Sequence, residues 1–104
     1  MKYIMKVKMP NDPGNLRIKD PQFGKKMQEI LTDMKAEAAY FTTICGSRGA
    51  YIVVNMDDAS QMPALAEPLF LWMNAEIDLI PVMTPEDLAK GSPAIEAAVK
   101  KWGK

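Results

Sequence analysis

The chain has no histidine and only one cysteine, Cys45, among its 104 residues. Without histidine, imidazole-ligated metal centres and catalytic pairs with an imidazole base are excluded. A single cysteine also excludes a disulfide within the chain and is typical of a reducing compartment. Because no imidazole is present to activate its thiol, we interpret Cys45 as a small apolar core residue. We therefore expect no metal site and no cofactor.

Net charge is lacking as well, because 13 basic residues balance 13 acidic ones and the pI is about 6.2. A neutral chain has no general field that attracts nucleic acid or an anionic membrane. The segment Met1–Met9 is too charged and short for a signal peptide, and no apolar run is long enough to cross a bilayer. The apolar content of 48% is ordinary for a globular protein. We expect one cytoplasmic domain that binds neither nucleic acid nor membrane.

The most informative segment is Ala39–Met56, which predicts a β-hairpin. Both halves are rich in β-branched and aromatic residues, whose side chains fit a pleated, half-buried surface. Gly46-Ser47-Arg48-Gly49 predicts the turn, since glycine accepts positive φ at little steric cost. The return strand is apolar on both faces until Asn55, which predicts cover on both faces. In so short a chain, we expect helices to supply one cover and a second copy of the protein the other.

Two segments of different character precede the hairpin. Lys2–Met9 alternates between apolar and mostly lysine positions, which predicts a half-buried first strand. Pro10–Asp20 contains Pro13-Gly14 and has no periodicity, which predicts a long loop. In that loop Arg17 and Lys19 either meet an anionic ligand or lie on a plain surface.

Helix signals stand on both sides of the hairpin. Asp20 as N-cap, with proline at the first helical position, predicts a helix that runs to Met34. Asp58 and Gln61 have the spacing of a capping box, so they predict the start of a second helix. Prolines within that helix, above all Pro68, predict a kink or a division into two pieces.

The remaining segments complete the predicted fold. Asn74–Met83 predicts a fourth strand, and Pro81 places that strand at a sheet edge. Thr84–Gly91 and Ser92–Gly103 predict two short helices. The order βαββαβ predicts an α+β, ferredoxin-like domain over residues 1–84, with a four-stranded antiparallel sheet and two helices on one face. Residues 85–104 form a C-terminal helical extension, and the bare sheet face is a predicted interaction site.

Several motifs resemble the dimeric α/β-barrel superfamily, which includes muconolactone isomerase, antibiotic-biosynthesis monooxygenases and YCII-related proteins. These motifs are the turn glycines Gly46 and Gly49, the pair Asp57-Asp58, Trp72, and Ile80-Pro81-Val82. They cover residues 1–84 and are most similar to short bacterial domains of unknown function in that superfamily. The resemblance implies a homodimer whose two sheets close a barrel. It also implies a small-molecule cavity between the sheet and the helices of each subunit.

The chain departs from parts of the superfamily. The aspartate–histidine pair of YCII-related enzymes and the histidine ligand of haem-degrading members are both missing, which excludes these mechanisms here. Cofactor-free monooxygenases of this class use tryptophan and asparagine around an aromatic substrate. The resemblance therefore implies roles for Trp72 and Asn55 toward a small, largely apolar organic molecule.

Candidate site residues follow from side-chain chemistry. Glu76 and Asp78 share a face of the last strand about 7 Å apart. Such a pair is suited to acid–base catalysis in a dry cavity, or else forms a solvated edge that discourages aggregation. An apolar pocket with a few polar groups is typical of ligand sites, and the candidates for its wall are Tyr40, Tyr51, Asn55 and Trp72. The same four residues also suit a core or a dimer interface.

Two functional hypotheses remain, since no catalytic motif stands out. The first is a homodimer that binds a small apolar molecule, as a cofactor-independent isomerase or monooxygenase with Glu76 or Asp78 as acid–base group. The second is a non-catalytic ligand-binding or assembly module. A buried carboxylate that faces an enclosed pocket would favour the enzyme. A space filled by the chain's own methionines, with Glu76 and Asp78 in solvent, would favour the module.

RNA binding is a third possibility suggested by the hairpin. Arg48–Asn55 partly resembles the third-strand signature of the RNA-recognition motif, which has a similar topology. However, Ala50, Ile52 and Asn55 stand where stacking aromatic residues are expected. Without net positive charge, we expect no RNA binding.

Overall fold

The computed structural model describes residues 1–104, which form one four-stranded antiparallel sheet with four helices. The fold is therefore α+β and has four helices, as predicted, although the helices are placed differently along the chain. A short 3₁₀ turn at Ala59–Gln61 precedes the third helix. The elements in chain order are β1 (Lys2–Met9), α1 (Asn11–Ile18), α2 (Phe23–Asp33), β2 (Ala38–Ile44), β3 (Ser47–Asn55), α3 (Met62–Met73), β4 (Glu76–Pro81) and α4 (Pro85–Trp102).

The strands lie in the order β2-β3-β1-β4, which is consistent with a ferredoxin-like fold. The central strand β1 pairs with β3 on one side and with β4 on the other. The edge position that Pro81 predicts for β4 is confirmed, because β4 pairs only with β1. Val82 continues the ladder by donating its backbone N–H to the carbonyl oxygen of Lys2, at 3.1 Å.

The core lies between one face of the sheet and the helices α2 and α3. The odd-numbered residues of β1 and the even-numbered residues of β3 point into it, as strand alternation requires. Six of the nine methionines are buried, which suits a side chain that fills irregular gaps. The core residues are Met5, Val7, Met9, Met34, Ala50, Ile52, Val54, Met56, Leu65, Leu69, Met73 and Ala75.

The predicted capping box is present before α3. The Asp58 carboxylate accepts a hydrogen bond from the Ser60 backbone N–H at 2.8 Å, and the Gln61 side chain accepts from the backbone of Asp58. The helix then continues past Pro68 as a single element. Asn74 ends it in the left-handed conformation, with φ of 53°.

The hairpin is confirmed, but its turn is two residues long and earlier than predicted. Cys45 and Gly46 form the turn, with φ of 47° and 81°. The interpretation of Cys45 as a core residue is wrong, because the tip of such a turn lies in solvent. Gly49 belongs to β3, where a Cβ atom would lie 2.5 Å from Cδ1 of Ile44 and 2.9 Å from the carbonyl oxygen of Val7. Close packing, and not turn geometry, therefore requires glycine at this position.

The predicted loop Pro10–Asp20 is wrong, because most of it forms α1. This helix has no apolar periodicity and leaves Leu16 exposed, so contacts with the rest of the fold hold it in place. The Arg17 side chain donates to the backbone carbonyl of Trp72, and Arg48 donates to the side chain of Asn15, both at 2.8 Å. Arg17 thus joins α1 to the backbone of Trp72.

The second helix begins at Phe23, later than the predicted start at Asp20–Pro21. Asp20 instead stabilises the turn before it. One carboxylate oxygen accepts from the Gln22 backbone N–H at 2.8 Å, and the other accepts from Lys26 at 3.0 Å. These hydrogen bonds, that of Gln22 first, hold the pKa of Asp20 below its usual value.

The two short C-terminal helices are in fact one, α4, of 18 residues. Thr84 and Asp87 form a reciprocal capping box at its start. The helix passes through Gly91, which does not adopt positive φ, and through Pro93.

No residue of α4 is buried, and the molecule measures 58 × 28 × 21 Å. Its radius of gyration, 17.5 Å, exceeds the roughly 13 Å expected for a compact chain of this length. None of the helices has the combined length and apolar character needed to cross a membrane.

Candidate functional site

One face of the sheet carries no helix, and we call it the open face. Strand pairing arranges its residues in straight rows across all four strands. One row is apolar throughout: Ala38, Val53, Ile4 and Ile80. The next row contains Tyr40, Tyr51, Lys6 and Asp78, and the row beyond it contains Thr42, Gly49, Lys8 and Glu76. The open face thus combines an apolar band, a tyrosine pair and a charged corner.

The charged corner contains both predicted catalytic residues, Glu76 and Asp78. Glu76 pairs with Lys8 across the strands at 3.7 Å, and its side chain is 70% exposed. Asp78 lies opposite Lys6 and is also exposed. A shallow surface depression of about 290 Å³ runs past all four charged residues. Each carboxylate therefore has a lysine neighbour and contact with solvent, which is the arrangement of a solvated strand edge.

The four predicted ligand-binding residues divide between the two sides of the sheet. Tyr40 and Tyr51 are cross-strand partners on the open face, and both are exposed. Asn55 lies on the same face at the end of β3. Trp72 lies among the helices on the other side, where its ring stacks on Phe23 with centroids 5.4 Å apart. The sheet thus separates Trp72 from the other three.

The indole N–H of Trp72 is buried and has no hydrogen-bond partner. Trp72 lines none of the surface depressions and packs against the core layer between the sheet and the helices. Its neighbours in that layer include Phe23 from α2. Within one copy of the chain, Trp72 serves the packing of α2 against α3.

Glu37 is a member of the site that the sequence did not predict. Its carboxylate accepts hydrogen bonds from Lys2 and from the Asn55 side chain, and so joins the start of β1 to the end of β3. The Lys2 ammonium group, and then the Asn55 amide, hold the pKa of Glu37 below its usual value of 4.5. Lys2 and Asn55 are paired across the two strands. No local motif marks Glu37, because its partners come from strands distant in sequence.

The lowered pKa of Glu37 predicts an acid-dependent loss of stability. A carboxylate with a lowered pKa stabilises the fold above its unfolded pKa, and that contribution disappears as the pH falls through the folded pKa. We expect Glu37→Gln to lose less stability than the natural chain when the pH falls below about 4.5, measured by thermal unfolding. Glu29→Gln, which removes an exposed carboxylate without an ion pair, is the control. Equal acid sensitivity of the natural chain and Glu37→Gln would contradict the prediction.

The space between the sheet and the helices is filled by core side chains, including Met5, Met34 and Met73. The depressions that remain are open to the surface. One of about 400 Å³ lies where α2 ends and α3 begins, and polar residues including Asn55, Asp57 and Gln61 line much of it. A second, of about 350 Å³, lies between α3 and β4 and is mainly apolar.

Chemically, the open face offers burial of apolar surface and a few cross-strand ion pairs. No group of three or more His, Cys, Asp or Glu residues in the structure is placed to hold a metal ion. A scan against models of known protein families found no match, and a search of curated proteins found none either. We therefore infer the function of the chain from its own geometry.

Proposed function

We propose that this chain is a homodimeric, non-catalytic assembly or ligand-binding module whose open faces pack against each other. The observation that carries the proposal is the apolar row Ala38, Val53, Ile4 and Ile80, flanked by Tyr40 and Tyr51, on a face that no helix covers. Apolar patches of this kind on a sheet mark interaction sites. A second copy presents the same patch, so a two-fold axis pairs the surface with itself.

The resemblance to dimeric α/β barrels supports this arrangement, since the order β2-β3-β1-β4 is consistent with the ferredoxin-like fold of their subunits. The packed methionines between sheet and helices favour a module over an enzyme with an internal cavity. The exposure of Glu76 and Asp78 points the same way. A small, largely apolar organic ligand would then occupy the space between the two sheets, next to the tyrosines.

An enzyme is the second candidate, and one observation favours it. Glu76 and Asp78 share the open face with Tyr40 and Tyr51, so a closed dimer would bring these carboxylates to the same enclosed space. In a cofactor-independent isomerase or monooxygenase, Glu76 or Asp78 would move the proton and the tyrosines would orient an aromatic substrate. Trp72, behind the sheet, would then act on the shape of the site only through packing.

Light scattering at several protein concentrations tests the proposal. We expect a stable species near twice 11.6 kDa. A monomer at all concentrations would overturn the homodimer and leave the apolar row without a partner. If the dimer forms, titration with a naphthalene dye whose emission depends on polarity distinguishes an open space between the sheets, where the dye binds, from a filled one. Dye binding that Tyr51→Leu weakens, while the mass stays dimeric, supports a ligand site.

A further inference from the structure

The C-terminal helix α4 has an apolar side that nothing in the chain covers. Leu88, Ile95, Val99 and Trp102 recur at spacings of seven, four and three residues, which places them on one side of a helix. They are 48–76% exposed. Charged residues of α4, including Glu86, Lys90 and Lys101, fall on the opposite side by the same spacing. An amphipathic helix of this kind obtains most of its stability from packing of its apolar side.

A matching apolar groove lies between α3 and β4, and we call it the α3–β4 groove. Its walls are Met62, Pro63, Ala66 and Phe70 from α3, with Ile77 and Leu79 from the edge strand. Met62 and Phe70 are both exposed. Glu67 is the one charged residue that lines it.

We propose that α4 of one copy lies in the α3–β4 groove of a second copy, and that the second copy returns its α4 in the same way. The inference rests on the homodimer proposed above and says what its subunits exchange. A two-fold axis makes both contacts identical, as in other dimers that exchange an element. The site for α4 is then incomplete without the partner subunit.

The dimensions of the elements agree with exchange. An 18-residue helix is about 27 Å long. In a face-to-face dimer the two sheets stack about 10 Å apart. The partner's helices lie one layer beyond its sheet, which is still within the length of an arm that leaves the sheet edge. In the structure α4 leaves the sheet edge after β4 and does not fold back, since none of its residues is buried. The exposed edge strand β4 carries both Ile80 of the open face and Leu79 of the groove.

The surface area that the exchanged helices would bury is also sufficient for a specific interface. An aromatic side chain such as Trp102 buries about 150–250 Å² when covered. With Leu88, Ile95 and Val99, and with the groove surface they cover, two exchanged helices bring the buried area above the roughly 1,200 Å² of a specific interface. The sheet contact and the helix exchange would together stabilise one dimer.

Disulfide trapping tests the exchange in the full chain, with Cys45→Ser as the background. One population carries Val99→Cys in α4, and the other carries Phe70→Cys in the groove together with a terminal tag that changes its mass. The two are unfolded together, refolded and oxidised with glutathione disulfide. We expect a covalent heterodimer, seen as a non-reduced band near twice 11.6 kDa plus the tag. Leu71→Cys replaces Phe70→Cys as the control, because Leu71 is exposed on α3 outside the groove. We expect the Leu71→Cys control to give at least 10-fold less heterodimer than Phe70→Cys.

Other outcomes overturn the exchange. A chain that carries both Val99→Cys and Phe70→Cys and closes a disulfide at monomer mass in dilute solution would show α4 in its own groove. Equal yields with Phe70→Cys and Leu71→Cys would show that α4 does not recognise the groove. Light scattering of the Cys45→Ser parent separates the two proposals: a dimer without the specific disulfide refutes only the exchange, whereas a monomer refutes the homodimer as well. If one variant does not fold, Ile95→Cys with Met62→Cys repeats the test.

Discussion

Replacing Tyr51 by lysine is expected to convert the proposed dimer into monomers. Tyr51 lies centrally on the open face, opposite Tyr40 on one side and Lys6 on the other. The substitution removes an aromatic ring from each half of a two-fold interface and places a second positive charge beside Lys6. A weakening of at least about 100-fold in the dimer dissociation constant, or roughly 2.8 kcal/mol, is expected. Sedimentation or light scattering across a concentration series measures it.

The control for Tyr51→Lys is Leu16→Lys. Leu16 is exposed on α1, and that helix contacts Trp72 on the covered side of the sheet. The control adds the same charge to the same chain but leaves the open face unchanged, so its mass should stay that of the dimer. Far-ultraviolet circular dichroism checks that both variants fold. A dimer in Tyr51→Lys as tight as in the natural chain would show that the open face is not the interface.

Replacing Leu69 by alanine is expected to produce the largest loss of stability. Leu69 is 1% exposed and packs from α3 into the core against the sheet. Removing a fully buried leucine side chain costs about 2–5 kcal/mol, because transfer free energy is lost and a cavity is left behind. For a domain of this size each kcal/mol lowers Tm by about 4–8 °C. Denaturant unfolding and a thermal scan measure both quantities.

Leu71→Ala is the matched control, with the same substitution in the same helix. Leu71 is 80% exposed, so its replacement should change the free energy of unfolding by no more than about 0.5 kcal/mol. Similar losses for Leu69→Ala and Leu71→Ala would contradict the burial pattern of α3. If Leu71→Ala alone weakens the dimer, the outer side of α3 takes part in a contact between copies.

Much of the fold could be predicted because its signals are local. The alternation in Lys2–Met9 depends only on strand period, and it gave the correct buried side of β1. The capping box at Asp58 and Gln61 depends on a spacing of three residues, and it is present. Pro81 has no N–H to donate, so its position at an edge strand is a property of the residue itself.

The errors arose where distant contacts decide between local alternatives. The segment Asn11–Ile18 has no helical periodicity, and its helix is held by Arg17 and Arg48, whose partners are 55 and 33 residues away in sequence, respectively. Gly91 resembles the end of one helix and Pro93 the start of the next, yet both lie inside α4. Gly49 was interpreted as a turn residue because chemistry alone does not separate a glycine needed for positive φ from one needed for close packing.

The candidate site divides in the same way. The sequence by itself determined that the chain has no histidine chemistry, because this follows from composition. It also determined that β3 is apolar on both faces and that Tyr51 and Asn55 share a face, because these properties follow from the strand period. Only the tertiary structure decided that Trp72 lies on the other side of the sheet, that Lys8 neighbours Glu76, and that Glu37 joins Lys2 to Asn55. These relations depend on strand register and helix placement, which are set by the packing of the whole core and not by any one segment.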